Sequence, residues 1–513
     1  MVERENADLL WMDQVDINDK SLVGGKNASL GEMYQNLTSR GIKIPFGFIV
    51  TSNSYKSFIN FNNLEEVISM ELKNIDYNDT ISLKRVGIKI RTEIQNGDFP
   101  ESINHEICKF YKELSEKYYD VEGNPQTYTD VAVRSSGTAE DMPDASFAGQ
   151  QETYLNVRGK QNVLESIRNC FASLYTDRAI SYRKSMGYMT DINISVCVQK
   201  MVRSDLGSSG VAFSLDPESG FKDVILINSS WGLGEMVVGG CIQPDEIVVF
   251  KKTLNEGYFP IIDKKLGLKM QKMIYGINLD QKTKIVSVDF SKQSIFSINK
   301  IQILKLSKWV IEIENYYTNI LSKWTPLDIE WAIDGLSGEL YIVQARPETI
   351  HSRRNLNTIK EYKLIKSPTI KPILTGIAVG NNIGKGKIKI IYTMDSRDGS
   401  NGLENFKKGD ILVTEMTTPD WEPLMKIASG IITNKGGRTC HAAIIARELQ
   451  LNAIVGTCDA TKTLTNGDIV TISCAEGEIG NVYEGKLDYN IQHITVNNEL
   501  KLRIPNILYI YII

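Results

Sequence analysis

The stretch Leu327-Asp-Ile-Glu-Trp-Ala-Ile333 alternates with a period of two, which narrows what it can become. Leu327, Ile329, Trp331 and Ile333 fall on one side of an extended chain, and Asp328 and Glu330 fall on the other. A helix would scatter the four apolar residues around its circumference, whereas a half-buried strand delivers them all to one core. Asp334-Gly-Leu-Ser-Gly338 is hairpin-loop material, and Leu340 to Ala345 reads as the returning strand. A register centred near residue 337 sets Glu330 opposite Gln344 and Asp328 opposite Arg346. One strand face then presents two acids, an amide and a guanidinium. Hard divalent magnesium prefers such carboxylate and amide oxygens together with nucleotide phosphates, and Arg346 is suited to a phosphoryl oxygen. A solvated strand face with ordinary cross-strand pairs accounts for the same residues equally well.

The rest of the chain gives this hairpin its setting. At 513 residues it has room for about three domains. Helical spacing runs through residues 60 to 120, and Val131 to Arg134 predicts a short strand leading into Ser-Ser-Gly. Further strands are predicted at Ile194 to Met201, Gly210 to Ser214, Asp223 to Asn228 and Glu246 to Phe250. Leu306, Val310, Ile313 and Tyr317 recur at helical spacing just before the hairpin. Residues 351 to 375 show little apolar periodicity and are expected to be a linker. From 376 to 485, short Gly-bounded strands and one clear helix predict a separate domain.

Several function classes are excluded early. Lys+Arg 58 against Asp+Glu 62 leaves a net charge of −4, with no global pull toward nucleic acid or an anionic membrane. No apolar run approaches the roughly 18 residues that span a bilayer. Glu3, Arg4, Glu5 and Asp8 interrupt any secretory core at the N-terminus. The seven Cys contain no CxxC pair, so neither a zinc ribbon nor a disulfide framework is indicated, and a cytoplasmic location is expected.

The strongest local signal is Lys435-Gly-Gly-Arg-Thr-Cys-His-Ala-Ala-Ile-Ile-Ala-Arg-Glu-Leu449. Gly436 and Gly437 free the backbone to approach a ligand, and a helix-like run begins at His441. A histidine at a helix start sits among unpaired N–H groups at the positive dipole end, which suits a phosphorylated imidazole, and Arg438, Thr439 and Arg447 can add donors to its oxygens. The bland counterpart is a satisfied histidine beside a turn. Gly24-Gly25-Lys26 and Arg134-Ser-Ser-Gly137 each set a cation beside a donor-rich turn, as a polyphosphate clamp requires. Neither has Walker spacing, and no GxGxxG opens a Rossmann unit.

Taken in order, these motifs resemble the phosphoenolpyruvate synthase (pyruvate, water dikinase) family of PEP-utilizing enzymes, relatives of pyruvate phosphate dikinase. The matching text is Leu22 to Glu32, Val131 to Asp141, Ser146-Phe-Ala-Gly-Gln150, Asp328-Ile-Glu-Trp331, Gln344-Ala-Arg-Pro347 and the His441 segment, with the likeness running from about residue 11 to about 485. The resemblance implies an α/β and α+β multidomain chain. An ATP-grasp nucleotide-binding domain (subdomains 1–190 and 191–350) is followed by a hinge at 351–375 and a swivelling β/β/α phosphohistidine domain at 376–485. It further implies that Lys26, Arg134, Asp328 and Arg346 hold ATP and its phosphates, that Glu330 and Gln344 hold Mg2+, and that His441 is the phosphocarrier. A related dikinase, an antibiotic phosphotransferase or an idle nucleotide-binding remnant are the rival expectations. Since a (β/α)8 barrel needs roughly 250 residues, the 28 that remain after Gly485 are expected to be a tail. The chain is then expected to be truncated before the pyruvate-binding barrel, or to meet that barrel in a partner chain; a homo-oligomer is a separate expectation.

Overall fold

The computed structural model describes residues 2–73, 75, 80–118, 127–138, 152–185, 192–256, 258–276, 282–348, 358–365, 369–393, 406–418, 421–438 and 440–495. They form two compact units. The first takes in residues up to 216, 221–236 and 244–348; the second takes in 217–220, 237–243 and the described residues beyond 348.

Two antiparallel sheets organise the first unit. One has five strands in the order Leu9–Trp11, Gly47–Val50, Ile194–Lys200, Val131–Gly137, Thr153–Val157. The other has six, in the order Leu340–Pro347, Leu327–Ile333, Ser208–Phe213, Val224–Trp231, Asp245–Phe250, Ile261–Lys265. The helix predicted from Leu306, Val310, Ile313 and Tyr317 runs from Lys300 to Ile320, and those four residues are buried. It starts at a reciprocal cap in which Asn299 Oδ1 accepts from Gln302 N at 3.0 Å while Gln302 Oε1 accepts from Asn299 N at 2.9 Å. Its apolar stripe joins Leu327, Ile329, Trp331 and Ile342 in one core that also contains residues of the five-stranded sheet.

The hairpin keeps the predicted register, with Asp328 opposite Arg346 and Glu330 opposite Gln344, and a bulge follows that sets Trp331 opposite Ile342. Trp331 lies on the apolar face, 1% exposed. It fits there because its neighbour on the adjacent strand is Gly210, where a Cβ would stand 2.8 Å from the indole Cζ2.

The Gly24-Gly25-Lys26 segment differs from the expected turn. It lies inside a helix spanning Lys20–Leu37 that kinks at Gly24, with φ 74° and ψ 165°. Both that left-handed φ and the close approach of Ser136, whose carbonyl oxygen would stand 2.6 Å from a Cβ, require glycine here. The kink thereby seats the Lys26 turn directly against the strand that carries Arg134.

In the second unit seven strands close into a barrel, in the order Leu374–Val379, Ala453–Val455, Gly430–Thr433, Ile411–Thr414, Ile383–Ile390, Ile469–Ser473, Ile479–Glu484. Alternate residues divide between two cores. Ile411, Val413, Ile432 and Ile454 belong to one, while Leu412, Ile431, Ala453 and Val455 belong to the other, together with Ala442, Ala443, Ile445 and Ala446 of the helix His441–Glu448. Small alanines let that helix lie close on the strands.

The expected linker and tail are partly strands. Thr358–Ile365 pairs antiparallel with Asp488–Thr495, from Thr358 opposite Thr495 to Ile365 opposite Asp488. The two partners lie more than a hundred residues apart in the chain, so neither shows a local signal of the other. Residues 349–357, the expected Ser146 to Gln150 motif and the last eighteen residues lie outside the described residues.

Trp331→Ala should lower unfolding free energy by roughly 3–5 kcal/mol. Trp331→Phe should cost far less, because the buried indole Nε1 has no hydrogen-bond acceptor among the described residues. Urea denaturation of the two variants checks both.

Candidate functional site

In the first unit the site is built where the two sheets meet at one guanidinium. Arg134 lies on the five-stranded sheet, opposite Cys197 of the neighbouring strand. Its side chain reaches the hairpin of the six-stranded sheet: Nη2 donates to Glu330 Oε2 at 3.2 Å and to Gln344 Oε1, and Nη1 donates to the Val343 carbonyl at 3.0 Å. Val343 is the residue that the bulge leaves without an opposite number. The next pair along the same polar face is Arg346 Nη2 with Asp328 Oδ2 at 3.4 Å. The predicted polar face therefore exists, and Arg134 joins it across more than 190 intervening residues.

Lys26 stands half-buried two residues beyond the Gly24 kink. Ser195 knits the kink to the strands: it donates to the carbonyls of Val23 and Ser136 and accepts from Asn27 Nδ2 at 2.9 Å. On the other side of this helix, Ser29 Oγ donates to the Ala345 carbonyl at 2.8 Å and lies 2.6 Å from Tyr317 OH. One helix thus touches both the Arg134 sheet and the Gln344 strand.

The turn of the hairpin is fixed by Asp334, whose Oδ1 accepts from the backbone N–H of Leu336 and Ser337, each at 2.9 Å, while Oδ2 accepts from Arg203 N at 3.2 Å. Burial pushes this carboxyl up, but the backbone N–H groups of Ser337, Arg203 and Leu336 outweigh it and hold the pKa below its ordinary value.

In the second unit His441 opens its helix, with Cys440 in the N-cap position. His441 Nδ1 lies 3.1 Å from Thr417 Oγ1, a partner that no sequence pattern around Thr417 announces. Gly436 has φ 113°, and a Cβ there would stand 2.8 Å from Cys440 Sγ, so the approach expected of the Gly-Gly pair is made to the residue beside the histidine. The Gly437 carbonyl accepts from Cys440 N at 3.1 Å. Arg438 Nη2 pairs with Glu478 Oε1 at 3.5 Å. Arg447 is buried, with Nε 3.1 Å from Glu218 Oε1 of the same unit. Thr439 lies outside the described residues.

Residues 20–366 match the family model described as the pyruvate phosphate dikinase AMP/ATP-binding domain, and residues 406–477 match that of the PEP-utilising enzyme mobile domain. The chain belongs to the pyruvate phosphate dikinase AMP/ATP-binding domain family. Its relatives include the phosphoenolpyruvate synthase of Aquifex aeolicus strain VF5, 52% identical over 97% of this chain and 57% of that protein. The Synechocystis phosphoenolpyruvate synthase is 47% identical over 97% of this chain and 60% of its own, and that of Escherichia coli K12 is 45% identical over 95% and 59%. The chain thus spans 57–60% of the length of these relatives.

These matches correct where the likeness was expected to end. The alignments extend over up to 97% of this chain, past the point near residue 485 where the sequence reading ends the likeness. A closed barrel is also present, formed by seven strands of the second unit and not of (β/α)8 type. Among the described residues no helix is long and apolar enough to cross a membrane.

Asp334→Asn should reveal the charge on the turn. A carboxyl whose folded pKa lies below its unfolded value stabilises fully above the unfolded value, near 3.9, and loses that contribution as pH falls through the folded value. The variant should therefore be less stable by about 1 kcal/mol at pH 7. Urea unfolding should show the difference shrinking below pH 3.9.

Proposed function

We propose that this chain uses ATP to phosphorylate His441 and passes that phosphoryl group into phosphoenolpyruvate synthesis, the activity for which its relatives are named. The observation that carries the reading is the convergence of Arg134, Glu330 and Gln344 within a chain whose residues 20–366 match a nucleotide-binding family. In this reading the nucleotide domain ends near residue 350, and 376–485 is the mobile phosphohistidine domain, with 351–375 as its hinge. Lys26, Arg134 and Arg346 bind the ATP phosphates, and Asp328 orients Arg346 through their ion pair. The protein works in the cytoplasm.

Mg2+ fits the hairpin by its donor chemistry. Glu330 Oε2 and Gln344 Oε1 already converge on one positive group, Arg134 Nη2. Among the described residues no cluster of three or more His, Cys, Asp and Glu side chains could hold a metal unaided. Such an ion keeps waters and takes its remaining oxygens from substrate phosphates. Glu330 and Gln344 would hold it, and when bound it supplies neutralisation of charge on the transferring phosphates.

His441 is set up as nucleophile by its neighbour. With Nδ1–H donating to Thr417 Oγ1, the lone pair stays on Nε2. Nε2 attacks the β-phosphorus in line, the bond from that phosphorus to the α–β bridging oxygen breaks, and AMP leaves. Hydrolysis of the transferred pyrophosphoryl group then releases phosphate and leaves phosphohistidine, from which pyruvate takes the phosphoryl group.

Incubation with ATP labelled at the β-phosphate should place acid-labile label on wild-type protein and none on His441→Ala; undiminished label in that variant would overturn the assignment. Glu330→Gln should melt within about 3 °C of wild type. It should also lose magnesium-dependent labelling by at least about a hundredfold. Normal MgATP use by that variant would remove Glu330 from the metal site.

A further inference from the structure

Arg134 and its partners come from different sheets, so whatever fixes one sheet against the other also fixes the site. A second polar cluster lies at the end of the Arg134 strand. Asp130, 4% exposed, immediately precedes that strand, and its carboxylate accepts from Lys200 Nζ at 2.6 Å and from the phenol of Tyr275. Lys200 ends the strand that pairs with the Arg134 strand, directly opposite Val131. Asp130 and Lys200 therefore tie off the two strands about 10–13 Å from Arg134, at roughly 3.3 Å per residue.

Tyr275 belongs to neither of these strands. It ends Gln271–Tyr275, half of a hairpin with Thr283–Ser287. That hairpin is fastened to the six-stranded sheet: the Met273 carbonyl accepts from Leu233 N at 2.9 Å, just past the strand Val224–Trp231. The approach is close enough that Gly232, with φ 89°, would place a Cβ 2.6 Å from the Met273 oxygen. The Tyr275 hydroxyl thus spans from the six-stranded sheet to the five-stranded one.

The cluster also reaches the turn of the Glu330–Gln344 hairpin. The Arg203 guanidinium lies 4.6 Å from the Tyr275 ring centroid, where Asp205 grips it with two hydrogen bonds of 2.9 and 3.0 Å. The backbone of Arg203 donates to Asp334 Oδ2, and its carbonyl accepts from Gly335 N at 3.0 Å. Burial pushes the Asp130 carboxyl up, but Lys200 and the Tyr275 hydroxyl outweigh it and hold it low, while burial and the Asp130 charge push the Tyr275 phenol up. The bridge is thus a neutral phenol donating to a carboxylate, a strong directional bond.

We propose that Asp130 and Tyr275 are positioning residues: their hydrogen bond, with Arg203 stacked on the phenol, sets Arg134 against Glu330 and Gln344. This inference rests on the reading of the Arg134 site as the place where MgATP binds. The residues touch no reacting atom; they act through the strand that carries Arg134.

Tyr275→Phe is a mild test, since the ring stays for Arg203 and Asp130 keeps Lys200. MgATP affinity, measured by calorimetry on the full chain, should weaken about tenfold. The melting temperature should fall by no more than about 3 °C. In an Arg134→Lys background the same change should cost less than about twofold, because the group being positioned is gone. Wild-type affinity in Tyr275→Phe, or an equal loss in both backgrounds, overturns the inference. A wild-type chain that binds no MgATP overturns the nucleotide reading instead. Hydrogen exchange then decides the clasp alone: Tyr275→Phe should speed exchange in both Val131–Gly137 and Leu327–Pro347, and unchanged exchange in either overturns it.

Discussion

The guanidinium of Arg134 joins the two sheets of the first unit. It leaves its own sheet and satisfies a carboxylate, an amide oxygen and a backbone carbonyl of the other. Taking a guanidinium out of water is costly unless its donors are met, and here three acceptors on a single hairpin meet three of its five N–H groups. The bulge at Val343 belongs to this arrangement, because it supplies a carbonyl that an unbroken ladder would have paired. In the proposed reading the same two hard oxygens would hold the metal ion beside phosphate.

Small residues bring the pieces close enough for this to happen. Gly24 lets the Lys26 helix touch the Arg134 strand, Gly210 makes room for Trp331, and Gly232 admits the Tyr275 hairpin. Each is a place where a backbone or ring occupies the space a side chain would need. In the second unit Ala442, Ala443 and Ala446 do the same for the histidine helix, which lies on the outward parity of the barrel strands while their inward parity fills the barrel. The histidine is thereby held at the end of a packed helix and not on a loop.

Local pattern carried much of this. The hairpin was legible because a period of two leaves only one way to bury Leu327, Ile329, Trp331 and Ile333, and that choice also orders Asp328, Glu330, Gln344 and Arg346. The long helix ahead of it was legible from four residues at helical spacing. The ribbon of Thr358–Ile365 with Asp488–Thr495 was not, since each strand is explained by a partner far away in the chain. The Gly24 segment read as a turn because Gly-Gly is turn chemistry, and only the neighbouring Ser136 shows why a helix bends there instead. Thr417 beside His441 and Tyr275 beside Asp130 left no trace in the sequence at all.

The sequence by itself determined which residues share a face and which are candidates for the site: the two acids, the amide and the arginine of the hairpin, the glycine-flanked histidine and Lys26. These are matters of spacing, and spacing is local. Only the tertiary structure decided that Arg134 meets Glu330 and Gln344, that Gly24, two residues before Lys26, is pressed against the same strand, and that a tyrosine from a separate hairpin meets the aspartate at that strand's end. Those contacts join residues that the chain separates by tens to hundreds of positions, and no periodicity encodes a meeting that depends on two sheets packing on one shared core.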